Sequence, residues 1–345
     1  MVFALVTGAG GFIGSHIIRM LLAEGHSVRG TVRDLSKAKF LHDLPNSFNL
    51  ELVRADLLLP EDWPAACKGV DVVFHVASVF KIGLPDDQVV TPAVDGTRNV
   101  LNAAADAAVK RVIVTSSIAA ICGGHPKSVT EFTADMWADA DEALSYDKAK
   151  VLGEREAWAI AEKRGLRLLV VNPGFTVGPL LDVSQGNCES SVMIRELLQR
   201  AIPMVPDFHL PRADVRDVAE AHVRLLDYEH PDMLSFYKTP ALGRFVVVSS
   251  ASLGTGYVHW SRVLQANFGD RGFKPPTRVA PHCMLKIMSL WDSRAATGVR
   301  ISGVRLNIDG SKTSELLGVQ YRDPDTALVA HAQSLLDLGV VKSKN

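Results

Sequence analysis

Tyr146 and Lys150 stand four residues apart in a stretch, 144–163, whose composition and period predict a helix. Both side chains therefore leave the same helical face. A free phenol titrates near pH ~10 and is a poor acid–base group at neutrality. A cation held beside it favours the phenolate and brings it toward a working range. Ser117 follows a strand expected over 112–116, at the carboxyl edge where ligands bind in parallel α/β sheets. Its hydroxyl could hold a substrate oxygen on which charge develops. Ser116 remains the alternative for that role. A Tyr-x-x-x-Lys pair arises often by chance, so its weight depends on the company it keeps.

That company begins at the N-terminus. Thr7-Gly8-Ala9-Gly10-Gly11-Phe12-Ile13-Gly14 follows a short apolar run and opens an amphipathic one. This is the context in which a Gly pattern reads as a dinucleotide turn. Gly8, Gly11 and Gly14 would allow a tight turn, a close approach to a pyrophosphate and helix–strand packing. The helix N-terminus then faces the phosphates. An oxidised nicotinamide bound there would also favour the Tyr146 phenolate.

The second strand, 27–32, ends in Val32 where an NAD site usually carries an acid. Asp34 is the competing acid, one or two positions late. Arg33 offers a planar fork suited to a 2′-phosphate, and Lys37 could add a second charge. The expected cofactor is NADP(H).

The elements around these residues must place them. Strands are expected at 2–6, 27–32, 50–54, 70–76, 112–116 and 167–172. Helices are expected at 15–24, 36–44, 89–108 and 144–163. Alternation at these lengths implies a doubly wound α/β fold, a Rossmann-type parallel sheet covered on both faces. Past Pro173 the rhythm breaks. The region 174–212 is rich in turns, prolines and scattered apolar residues, a strand near 245–249 could rejoin the sheet, and a helix is expected at 326–338. The expected division is a dinucleotide-binding domain over 1–173, rejoined by about 213–250. A smaller interwoven C-terminal substrate-binding lobe takes 174–212 and 251–345.

Bulk properties narrow the function class. The chain has 345 residues, 47% hydrophobic and 22% charged, with a formal net charge of −1 and no block of like charges. Nothing in this favours nucleic acid or an anionic membrane surface. Four scattered cysteines and eleven histidines, none at ligand spacing, argue against a disulfide framework or a metal site. His75, inside an apolar strand, reads as a core residue, and the five tryptophans as core or pocket lining. With the first strand expected from Val2 and the Gly-rich turn at Gly8, no signal peptide is expected, and no run is apolar enough to span a bilayer. A cytoplasmic protein, monomeric or homodimeric, is expected.

These residues resemble the extended short-chain dehydrogenase/reductases, within them the dihydroflavonol reductases, cinnamoyl-CoA reductases and microbial aldehyde or methylglyoxal reductases. The resemblance covers nearly the whole chain. It rests on VTGAGGFIG (6–14), VRGTVRD (28–34), DVVFHVAS (71–78), PAVDGTRNVLNAA (92–104), RVIVTSSIAA (111–120), YDKAK (146–150), NPGFTVGP (172–179) and DVRDVAEAH (214–222). It implies that Phe12 and Ile13 belong to the dinucleotide turn and that Asp56 and Leu57 contact adenine. Val76, Ala77 and Ser78 would line the dinucleotide, and Pro173, Gly174, Phe175 and Thr176 would flank the nicotinamide. It implies a 2′-phosphate contact for Arg33 and the catalytic role for Ser117. Where the family often has YxxSK, position 149 is alanine.

The implied activity is hydride transfer from NADPH to the carbonyl of a small or medium, largely apolar aldehyde or ketone, with Tyr146 as proton donor. Phe175, Met193, Ile194, Leu197, Leu198, Ile202, Met204, Val205, Phe208 and Leu210 would line an apolar, adaptable pocket. The rival enzyme readings are a nucleotide-sugar epimerase or dehydratase and a 3β-hydroxysteroid dehydrogenase-like enzyme on the same fold. A non-catalytic dinucleotide sensor is the third. A sugar nucleotide would need cations for its pyrophosphate, and Arg195, Arg200 and Arg212 are the candidates.

Overall fold

The structure, a computed structural model, describes residues 1–78, 85–291 and 293–342. Seven short strands form one sheet in which every neighbouring pair is parallel. Their order across the sheet is Arg244–Val247, Leu168–Pro173, Arg111–Thr115, Val72–His75, Phe3–Thr7, Ser27–Val32 and Leu50–Arg54. The central strands read as unbroken apolar runs because both faces are covered; Ala4, Leu5, Val6, Val73 and Phe74 are all fully buried. The order turns outward in both directions from Phe3–Thr7 and Val72–His75, which leaves a crevice at their carboxyl ends. The helices Asp86–Asp106 and Ser145–Arg164 pack against each other on one face, and Phe12–Ala23 packs against Val215–Arg224 on the other.

The strand that rejoins the sheet, Arg244–Val247, pairs with Leu168–Pro173. The lobe beyond Pro173 has its own apolar core. The helices Glu189–Gln199 and Tyr257–Phe268 each pack against Pro324–Asp337, and Trp260, Leu264, Leu197 and Leu335 lie between them. A parallel pair, Phe175–Val177 with Arg212–Asp214, stitches this lobe to the sheet edge.

Three sequence expectations change. The stretch 36–44 forms a 3-10 helix, Leu35–Asp43, begun by the Asp34 carboxylate accepting from the Ser36 amide. The region 174–212 is not merely turns, because Glu189–Gln199 is an amphipathic helix buried on its Ile194, Leu197 and Leu198 side. Trp291 neither packs the core nor lines a buried pocket; it is 77% exposed.

Candidate active site

The Gly-rich turn leaves the first strand at Thr7. Gly8 has φ +69°, and a side chain there would also press on the Ala77 backbone at 3.0 Å. A Cβ on Gly14 would stand 2.5 Å from the Gly8 carbonyl oxygen, so only glycine lets the helix Phe12–Ala23 start this close to the turn. The Thr7 hydroxyl accepts from the Val76 and Ala77 amides at 3.0 and 2.9 Å and ties the end of the neighbouring strand to the turn. Gly11 and Ser78 are exposed at this edge, Ile13 is half-buried, and Gly14 is buried. The Phe12 ring points the other way, edge-on to His16 and His331, and joins the core of the second lobe.

These residues fit a dinucleotide. Glycines clear the approach, the helix starts without an acid in its first turn, and the amide end faces the crevice. Val32 closes the second strand with no carboxylate. The competing Asp34 accepts from the Ser36 amide at 3.0 Å and the Ser36 hydroxyl at 2.6 Å. That carboxylate is engaged in its own turn and held below the usual carboxylate range by those bonds. Arg33 is exposed, and Lys37 stands only 3.9 Å from Asp34 on a 77% exposed side chain. Asp56 and Leu57 sit half-buried past the third strand, where Asn99 donates to the Leu57 carbonyl at 2.8 Å.

Ser117, Tyr146 and Lys150 meet at the same edge. Ser117 follows Arg111–Thr115; Tyr146 and Lys150 occupy the first turns of Ser145–Arg164. The Ser117 and Tyr146 hydroxyls are hydrogen-bonded to each other, and Lys150 Nζ lies 6.0 Å from the Tyr146 ring centre. Ser116 faces away, donating to Glu154 at 2.6 Å inside the core. The Pro173 carbonyl accepts from the Ile118 amide at 3.0 Å, and Gly174, buried against Pro211, leads into Phe175 stacked on Trp260 at 5.0 Å. Thr176 turns its hydroxyl back to the Gly174 carbonyl.

The electrostatics correct one expectation. Burial raises Tyr146 well above its ordinary range, and nearby Asp147 and Glu189 add to this; only the Ser117 bond opposes it. In the chain alone the phenol is thus held protonated rather than poised as phenolate. Lys150 is lowered to about 8 by burial, against the pull of Glu154. His75 is a core residue: it bonds Thr7 Oγ1 at 3.1 Å and is lowered to about 3 by burial and by Lys150. Asp147, which sequence reasoning passed over, is pushed up to about 7 by burial, with Arg300 opposing. Its only signal was its place beside Tyr146.

The expected pocket lining divides. Ile194, Leu197, Leu198 and Val205 are fully buried in the core of the second lobe and line nothing. Phe175, Met193, Ile202, Met204, Phe208 and Leu210 are only partly buried. Two of the three expected phosphate cations are engaged elsewhere. Arg212 is buried and bonds Asp325 at 2.7 Å and the Pro324 carbonyl at 2.9 Å, and Arg195 reaches the Gly186 carbonyl, whereas Arg200 is exposed at the end of its helix.

The chain matches the NAD dependent epimerase/dehydratase family over residues 4–235. It belongs to that family. Tetraketide alpha-pyrone reductase 2 of Arabidopsis thaliana is 36% identical over 279 residues, 76% of this chain and 80% of the relative. Cinnamoyl-CoA reductase 1 of Oryza sativa subsp. japonica is 41% identical over 242 residues, 67% and 69% of the two chains. The structure of Gre2 from Candida albicans in complex with NADPH superposes with a TM-score of 0.72 at 25% identity, covering 98% of this chain and 99% of that one. Among the described residues no helix is long and apolar enough to cross a membrane.

Proposed function

We propose that this chain is an NADPH-dependent reductase of carbonyl compounds, with Ser117, Tyr146 and Lys150 as its catalytic residues. The observation that carries the reading is the hydrogen-bonded Ser117–Tyr146 pair, with Lys150 one turn on, at the edge where the glycine turn lies. The relatives' names as reductases and the NADPH held by the Candida protein support it. So does the engagement of Asp34 in its own turn, which leaves exposed Arg33 to meet a 2′-phosphate, with Lys37 beside it across from Asp34.

When bound, the reduced nicotinamide supplies a hydride to the carbonyl carbon. Ser117 holds the substrate oxygen. Tyr146, kept protonated by its burial, gives that oxygen its proton. The Lys150 ammonium on the same helical face favours the tyrosinate left behind until solvent reprotonates it. Gly8, Gly11 and Gly14 with the Phe12 and Ile13 amides receive the pyrophosphate. Asp56 and Leu57 border the adenine, Val76 to Ser78 line the dinucleotide, and Pro173 to Thr176 flank the nicotinamide. The substrate is a small or medium, largely apolar aldehyde or ketone. Two of the three cations that a sugar pyrophosphate would call on, Arg212 and Arg195, are bonded within the lobe, which supports this reading over a sugar nucleotide.

The test is NADPH absorbance with aryl aldehydes, α-dicarbonyls, β-keto esters, dihydroflavonols and cinnamoyl-CoA, beside UDP- and GDP-sugars. Carbonyl-dependent NADPH consumption is expected. Conversion of a sugar nucleotide without net change in NADPH, and no turnover of any carbonyl, overturns the reading.

A further inference from the structure

Glu154 is the residue one turn beyond Lys150 on the same helical face, and its side chain is fully buried. A lone carboxylate there would carry a prohibitive desolvation cost. Four donors converge on it instead. Oε2 accepts from Ser116 Oγ at 2.6 Å and Asn172 Nδ2 at 2.9 Å; Oε1 accepts from Arg244 Nε at 2.6 Å and Trp158 Nε1 at 3.2 Å.

Three of the four donors belong to the candidate site's framework, and Trp158 lies one turn further along the same helix. Ser116 precedes Ser117. Asn172 precedes Pro173, and its Nδ2 also donates to the Ser117 carbonyl at 3.2 Å. Arg244, equally buried, comes from the strand on the far side of Leu168–Pro173. It donates onward to the Ala134 and Met136 carbonyls at 2.9 and 2.7 Å and lies 3.6 Å from the centre of the Trp137 ring. Its Nη2 and the Asn172 Oδ1 are buried without a hydrogen-bond partner among the described residues. The network therefore tolerates unpaired polar atoms to keep one ion pair in the core. A volume-matched apolar pair would hold the same elements together without that cost.

We propose that Glu154 is a positioning residue for the reduction: with Arg244 as counter-ion, it ties the strand ends bearing Ser117 and Pro173 to the catalytic helix and holds a negative charge one turn from Lys150. The consequence is that Lys150 stays an ammonium at neutral pH although its surroundings penalise the charge. Among the described residues, the charged and titratable groups that act on Lys150 are Tyr146 and Glu154 on its own helix and His75 on the facing strand. Neutral His75 offers no counter-charge, so Glu154 supplies it. This rests on the assignment of Lys150 and Tyr146 to the chemistry, and the test separates the two.

The experiment compares the wild type with E154D, E154Q and the double variant E154Q/R244M. Three readouts are taken: thermal stability, the pH profile of kcat/KM, and the pKa of Lys150 from trace acetylation and peptide mass spectrometry. In E154Q the Lys150 pKa should fall by roughly one unit or more, as expected for a lost neighbouring charge. The alkaline limb of activity should move to lower pH with it. E154D should keep the Lys150 pKa while lowering kcat, because the charge survives and the reach does not. E154Q/R244M should regain thermal stability without regaining the wild-type Lys150 pKa. A stable double variant with wild-type Lys150 titration, or an E154D protein that titrates like E154Q, overturns the proposal. Failure of the wild type to reduce any carbonyl would instead overturn the functional reading, since the acetylation measurement needs no turnover.

Discussion

The sheet and the lobe covering its carboxyl edge both bury polar groups, but they aim them differently. In the sheet, Thr7 holds the amides of Val76 and Ala77, and Glu154 holds Ser116 and Asn172. These bonds converge on the edge where Ser117, Tyr146 and Lys150 meet. In the lobe, Arg212 bonds Asp325, Ser191 bonds His331 at 2.9 Å, and Asp207 takes a two-pronged contact from Arg305. Those bonds join one covering element to another. On the proposed function, the sheet's buried polarity orients the reacting groups, and the lobe's fixes a shape. Substitutions in the sheet should therefore act on chemistry and cofactor choice, and substitutions in the lobe on stability.

The sharpest break between the two is Tyr146→Phe. Deleting the hydroxyl removes the proposed proton donor and keeps the ring, so kcat should fall by about 10²–10⁴-fold while NADPH binding survives. Titration of NADPH fluorescence checks binding, and single-turnover absorbance checks chemistry. Retention of more than about a tenth of wild-type kcat would take Tyr146 out of the reaction.

Next in size is Arg33→Ala. A charge-assisted contact to a 2′-phosphate contributes on the order of 1.5–3 kcal/mol, so the KM for NADPH should rise about ten- to a hundredfold. The KM for NADH should stay the same. Equal losses with both cofactors would show that Arg33 supports the turn rather than the phosphate.

What the sequence carried follows from the range of each interaction. The glycine turn and the Tyr146–Lys150 spacing are local, fixed by a few residues of backbone geometry, and so could be read directly. The strand Ser27–Val32 likewise falls where its pattern put it. Glu154 could not be read, because its meaning depends on Arg244, ninety residues away. The same holds for Arg212, whose partner lies 113 residues on. The apolar side of Glu189–Gln199 has one periodicity whether it packs a core or lines a pocket, and only its neighbours decide.

Acid stability compares the two regions through their buried histidines. His75 and His222 lie in the sheet half and His331 in the lobe, lowered by burial to about 3, 4 and 3. The unfolded chain takes up protons near pH ~6.5 that these folded sites refuse. Their contribution is thus fully present above pH ~6.5 and is lost as pH falls toward the folded values. Each should cost about 2 kcal/mol between pH ~6.5 and ~5. Asp147, raised to about 7, acts in the opposite direction and offsets part of the loss. Calorimetry across this window should show Tm falling with pH, and H222Q and H331Q should each flatten the slope. A slope unchanged in H331Q but flattened in H222Q would mean that the lobe opens before its histidine titrates.

The smallest effect tests the lobe itself. Ile194 is fully buried among the helices of the second core, so Ile194→Val removes one methyl from a packed site. Such a change costs about 0.5–1.5 kcal/mol of stability. Its enclosure in that core means that kcat/KM should hold for every carbonyl in the panel. Met193, its neighbour on the same helix, is only partly buried, and Met193→Ala should cost less stability while changing the ranking of large against small substrates. The pair distinguishes core from pocket on adjacent residues. If Ile194→Val alters the preference for bulky carbonyls and Met193→Ala does not, the helix presents its other side to the substrate. The division between an orienting sheet and a shaping lobe would then have to be drawn inside the lobe.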